Sequence, residues 1–330
     1  IRRPPRSTLF PTRRSSDLLG LPTGLVAESA VSSAAFVAFT EGPAVDAEGN
    51  VFFSDIVNNR IMKRAADGAL SVWRADSGRA NGNMFDAQGR LVTCEGAEFG
   101  DGGRRRISRT DMRTGDVEVL TDRYDGKRYN SPNDLVIDKH GRIYFTDPRY
   151  KEDRSDLEMD VEGVYRLDPN GQVSRILQQP TIQKPNGIAI SPDNATLYLV
   201  DSSPTPGGNR KIWAFDLSPD GVPSKRRLVF DFAPGRGADG MRTDVEGNLW
   251  IAAGISRARH ANETADVPPG VYIITPTGNL LGRIPVPEDS ITNLAFGGPD
   301  LKTLYIVSGK SLFSIRANIA GNVVYPRLAG

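Results

Sequence analysis

The sequence predicts an all-β chain: a six-bladed β-propeller with four antiparallel strands per blade, the ring closed by an N-terminal strand. Three observations carry this. A segment pattern recurs six times, the full periods hold four strand signals each, and no apolar stripe of helical spacing competes with them. The segments are EGPAVDAEGNVFFSD from Glu41, NGNMFDAQGRLVTCE from Asn81, NDLVIDKHGRIYFTD from Asn133, NGIAISPDNATLYLVD from Asn186, DGMRTDVEGNLWIAA from Asp239 and NLAFGGPDLKTLYIVS from Asn293. Their first residues stand 40, 52, 53, 53 and 54 apart, a period that suits a four-stranded blade better than a helical solenoid.

Within each segment a short strand leads through a turn rich in Asp, Gly and Asn to an alternating apolar strand, such as Val51 to Ser54 or Ile143 to Thr146. Two outer strands follow. In the first period they are Arg60 to Arg64 and Ala69 to Trp73; in the third, Gly163 to Leu167 and Gln172 to Leu177. WD-type blades are excluded, because the Gly-His and Trp-Asp pairs that mark them are missing. The sixth period ends after its third strand, near Leu312 to Arg316, and an unassigned apolar stretch, Ala34 to Phe39, precedes the first. That stretch is expected to complete the last blade and remove the exposed edges of an open ring.

Composition narrows the function classes. With 38% hydrophobic and 25% charged positions the chain has the make-up of a soluble globular protein. Residues 1–18, IRRPPRSTLFPTRRSSDL, differ from the rest: five arginines, one aspartate and no periodicity. They resemble the translated read-through of a sequencing adaptor, as found at the ends of metagenomic reading frames. The expected organisation is a non-native or disordered tail over 1–18 and one propeller domain over 19–330. A junction of this kind would have removed any native leader, so the compartment, bacterial cytoplasm or periplasm, stays open. Without the tail, 36 basic residues face 39 acidic ones, a net charge of −3, which argues against a nucleic-acid partner. No run of eighteen apolar residues encodes a membrane span. A single cysteine, Cys94, and two histidines, His140 and His260, cannot build a Cys/His zinc cluster, so a metal would need oxygen ligands. A monomer is the expectation for a closed propeller.

In a propeller the first strand of each blade lines the central channel. The residues that open the six repeats, Glu41, Asn81, Asn133, Asn186, Asp239 and Asn293, all carry a side-chain carbonyl or carboxylate oxygen. Blade symmetry turns them toward one axis. Converging amides and carboxylates make a site for a hard divalent cation: calcium first, with magnesium, manganese or zinc open. The opposing reading takes Asn-Gly and Asp-Gly as ordinary turn dipeptides; Glu41-Gly42-Pro43 and Ser131-Pro132-Asn133-Asp134 do not fit it.

TEGPAVDAEG, NSPNDLVID followed by FTDPRY, KPNGIAISPD, GADGMRTDVEGNLW and NLAFGGPDLKTLYI resemble the gluconolactonase, regucalcin (senescence marker protein) and sugar lactone lactonase family, from Glu41 to Arg316. The resemblance implies a six-bladed propeller that holds one divalent cation and hydrolyses small lactones. It also implies four metal ligands, which fall on Glu41, Asn133, Asn186 and Asp239. The animal regucalcins carry a sugar-acid-binding arginine two positions before the first Asn; here that residue is Ser131, so their substrate preference does not transfer.

A cation at the channel mouth can polarise a lactone carbonyl, with Asp239 as general base by resemblance and as one of two ring carboxylates. Asp239 could instead only hold a metal-bound water. Asn81, Asp134, Asp201 and His260 are expected to face substrate, His260 from an insertion, Gly254 to Pro269, that could cap the channel. Tyr150 and Lys151 to Asp160 are expected to form either a lid or an ordinary loop. Glu95 is expected at the opposite rim as a solvated carboxylate, Cys94 as a buried inert thiol and His140 at the surface. No G-x-S-x-G elbow, Ser–His–Asp set or phosphate loop is encoded. Two other functions share the architecture: hydrolysis of a phosphoester on the same metal site, and a binding propeller without chemistry.

Overall fold

The computed structural model describes residues 38–258 and 263–326. The 1–18 tail, residues 34–37 of the expected closing strand, and His260 lie outside them. The described residues contain strands and turns and no helix, and the strands form six small antiparallel sheets arranged as a six-bladed propeller. The innermost strands are Thr40–Val45, Ala80–Phe85, Leu135–Ile137, Pro185–Ile190, Ala238–Thr243 and Ile291–Gly297. Five sheets have four strands each; the sixth has three among the described residues, ending at Ser311–Arg316. One extra hairpin, Arg123–Tyr124 with Lys127–Arg128, sits between blades 2 and 3.

Burial follows strand position. Innermost and second strands are buried along nearly all their length, third strands are buried to a varying degree, and outer strands such as Leu70–Ala75 are largely exposed. This is why the second strand of each repeat is plain in the sequence while the fourth is hard to see. Clusters of core side chains bridge neighbouring blades: Val200, Met241 and Ile251 join blades 4 and 5, and Trp250 packs edge-on against Phe296 between blades 5 and 6.

The repeated turn has a mechanical cause. In blades 1, 2, 3 and 5 its first aspartate, Asp46, Asp86, Asp138 or Asp244, accepts a hydrogen bond from the amide four residues on. The residue between, Gly49, Gly89, Gly141 or Gly247, takes a left-handed φ of 74° to 87°. Asn194 and Leu301 hold the same place in blades 4 and 6 at φ 60° and 55°.

Blade 6 meets blade 1 through Thr40 N to Gly309 O at 2.8 Å and Thr292 Oγ1 to Thr40 O at 2.7 Å. The segment after blade 6 crosses the mouth opposite the inner-strand starts: Asn322 donates to Thr243 O at 2.9 Å, and Tyr325 stacks at a tilt on Phe85, 5.6 Å away.

Candidate functional site

The six oxygen-bearing residues open the inner strands at one mouth, and a shared backbone irregularity aims them. Pairing between first and second strands slips between Glu41 and Ala44, Ala80 and Asn83, Pro185 and Ile188, Ala238 and Met241, and Ile291 and Asn293. Such bulges turn a side chain away from the ladder; here each one falls at a ring residue. In blade 3, Asn133 precedes its strand. The glycines that follow ring residues are not turn glycines. A Cβ on Gly42 would stand 2.1 Å from Asn81 O, and one on Gly187 2.2 Å from Asp239 O, so each glycine admits the ring backbone of the next blade.

Glu41, Asn81, Asn133, Asn186, Asp239 and Asn293 are all buried, with Asp134 among them. Glu41 accepts the Gly42 amide at 2.9 Å and the Asn293 amide group at 3.3 Å. The same Asn293 nitrogen reaches Asp134 at 3.2 Å, and Arg242 touches Asp134 from below at 3.4 Å. Asp239 accepts from Arg236 at 3.1 Å, and Asn186 donates to the Tyr150 hydroxyl at 2.9 Å. Asn133 makes no side-chain hydrogen bond among the described residues, and the Asn81 Oδ1 is buried without a partner.

Charge crowding is the dominant electrostatic feature. Burial, then the charges of Asp239 and Asp134, push the Glu41 carboxyl well above the ordinary range. Burial pushes Asp239 up to about 6, against the opposing pull of Arg236 and of a hydrogen bond from Asn186. Three buried carboxylates therefore share the mouth with two arginines. The oxygen-rich donor set and its excess of negative charge together fit a hard cation. No three His, Cys, Asp or Glu side chains form a metal cluster among the described residues; such a site depends on the asparagine oxygens.

Asp201 is not among the converging groups. It is fully buried, and its carboxylate accepts from the amides of Gln183 and Lys184, from Asn209 and from the Trp213 indole. It holds the loop that leads into Asn186. Asp147 does the same in blade 3, accepting from Asn130 N at 2.8 Å and Ser131 N at 2.7 Å. Glu95 corrects the expectation of a solvated carboxylate at the opposite rim. It pairs with Ala80, beside Asn81, and is fully buried against Arg74, Arg106 and Ser108, because the antiparallel return brings the end of the second strand back to the ring side. The stretch after Tyr150 is pinned: Glu98 accepts the amides of Tyr150 and Lys151, and Arg149 is buried against Asp156 at 2.7 Å. Cys94 is buried, its thiol pushed up by desolvation, and His140 is exposed.

Arg236 and Arg242 join the site without having been expected there, and Tyr150, expected in a lid or an ordinary loop, meets Asn186 through its hydroxyl. Arg236 and Arg242 lie three residues to either side of Asp239, yet nothing in their types marks them. A cavity of about 960 Å³ opens at the other mouth, beside His140, Arg90 and Asn322; none of the six ring residues lines it.

The family model described as SMP-30/Gluconolactonase/LRE-like region matches residues 39–310. The chain belongs to this family. It is 33% identical over 311 residues to a gluconolactonase of Zymomonas mobilis, covering 86% of this chain and 80% of that protein. The solved structure of a gluconolactonase from Xanthomonas campestris is 35% identical, with a TM-score of 0.70 over 84% of this chain and 86% of the other. A calcium-binding protein, regucalcin, from Agrobacterium tumefaciens shares the fold at 21% identity, with a TM-score of 0.67 over 88% and 93% of the two chains.

Proposed function

We propose that this family member is a lactonase that opens a sugar lactone with the help of one divalent cation, calcium in the first instance. The observation that carries the reading is the crowding of Glu41, Asp134 and Asp239 among asparagine amides at one mouth, in a chain that resembles gluconolactonases over most of its length. Glu41, Asn133, Asn186 and Asp239 would hold the cation, and the regucalcin likeness supports calcium. Bound there, it would supply Lewis-acid polarisation of the lactone carbonyl.

The chain's own residues do the rest. Asp239 takes a proton from the attacking water, and Arg236 fixes the orientation of that carboxylate. Water adds to the acyl carbon, the ring C–O bond breaks, and the freed alkoxide takes the proton that Asp239 had accepted, which leaves a hydroxy acid and returns Asp239 to its starting state. Asn81 and Asp134 face the substrate, Asn81 with an oxygen no protein group uses; His260 is a further candidate contact. Asp201 serves by holding the Asn186 loop. Glu41→Gln tests the reading: it keeps shape and hydrogen bonds while removing one charge. We expect glucono-1,5-lactone hydrolysis to fall at least about 100-fold, by analogy with losing a principal electrostatic group. Retained activity would exclude the ring as the catalytic site.

A further inference from the structure

We propose that Tyr150 is a specificity residue that contacts the substrate directly: the sugar lactone stacks on its ring, and its hydroxyl donates to a substrate oxygen. This rests on the lactonase reading and adds a residue to it.

Tyr150 is fixed from several sides. Its own amide and that of Lys151 donate to Glu98 of the blade 2 loop at 3.2 and 2.8 Å. The preceding Arg149 is buried and bonded to Asp156. The Lys184 ammonium lies 4.9 Å from the ring centroid and is held in turn by Arg149 O at 2.6 Å and Glu162 at 3.1 Å. Asn186 donates to the hydroxyl at 2.9 Å, so that oxygen is already an acceptor and its own proton is left to give. Tyr150 nevertheless remains 37% exposed, while Arg149, Glu162, Asn186 and Asp239 around it are buried at 1%, 2%, 7% and 8%.

A tyrosine used only for packing would be covered, and one on a free loop would not be pinned through backbone, ring and hydroxyl together. A rigid, exposed ring beside converging polar groups is the arrangement that binds a flat, hydroxylated ligand: the π-face takes its C–H bonds and the hydroxyl orients it. Asn186 links this platform to the metal-ligand candidates, which places a stacked lactone next to Asp239.

The test compares wild type, Tyr150→Phe and Tyr150→Ala on glucono-1,5-lactone and on δ-valerolactone, which has the same ring without hydroxyls. Calcium affinity is measured alongside by calorimetry on chelator-stripped protein. We expect Tyr150→Ala to lower kcat/KM for the sugar lactone on the order of ten-fold or more relative to δ-valerolactone, chiefly through KM, as the loss of an aromatic contact and a hydrogen bond predicts. Tyr150→Phe should fall between, and because Asn186 also bonds the hydroxyl, both lactones are compared at saturating calcium, where the preference should change whether or not calcium affinity does. An equal fall on both lactones, or lost calcium affinity with the preference intact, would overturn the proposal and leave Tyr150 as a support for Asn186. A wild type that opens neither lactone would overturn the lactonase reading itself.

Discussion

Glu41 and Asp239 are buried within range of each other's charge and of Asp134, and the metal-free protein bears the cost. Asp239 is raised from 3.8 to about 6. A group whose folded pKa is raised contributes stability that is full below its unfolded pKa and lost as pH rises through the folded one. The window is therefore about pH 4 to 6, and above it the ionised carboxylate destabilises the metal-free fold by up to about 3 kcal/mol. Asp239→Asn should stabilise chelator-treated protein at pH 8 and make little difference at pH 4, as denaturant titrations at the two pH values would show. The types and order of the six ring residues are legible from repeat alignment, because propeller symmetry carries sequence position into spatial position, whereas the choice of Glu41, Asn133, Asn186 and Asp239 among them rests on the family resemblance. Arg242 and Tyr150 are not legible in this way: the inner-strand place of Arg242 is held by Ala44, Met84, Val136, Ala189 and Phe296 in the other repeats, so alignment does not mark it, and Tyr150 lies beyond the repeated segment.

At the scale of the strand, two devices set the ring: a bulge at the inner-strand start and an acidic residue at the end of the second strand. Asp55, Asp147 and Asp201 all accept backbone amides of the segment leading into their blade's ring residue. The repeats show these acids in register, as FSD, FTD and LVD, but their partners are amides, which leave no mark in a sequence. Asp201 is easily misread for that reason; Glu95 is misread because the side chains that bury it, Arg74, Arg106 and Ser108, come from other strands. Asp201→Ala should cost about 2 to 3 kcal/mol, the scale of lost hydrogen bonds to a charged acceptor, and should reduce lactonase activity by releasing the Asn186 loop. Urea unfolding and kcat/KM on one preparation would check both effects. The second and third strands are plain in the sequence because they are buried on one or both faces; the outer strands are weaker because water covers them.

For the whole molecule, closure places all six ring residues at one mouth, while the segment through Asn322 and Tyr325 covers part of the other. Substrate and cation are thus expected to share one approach. Binding of a cation to the folded state alone should raise stability by about 2.7 kcal/mol at a hundred times its Kd, a gain that Glu41→Gln should abolish. The most direct measurement follows hydrolysis of glucono-1,5-lactone by proton release, with chelator-stripped protein before and after calcium is restored. Activity that vanishes on stripping and returns with calcium is the predicted result. Full activity in the stripped protein, or none after reloading that still raises the melting temperature, would contradict it; the second outcome would turn attention to phosphoester substrates.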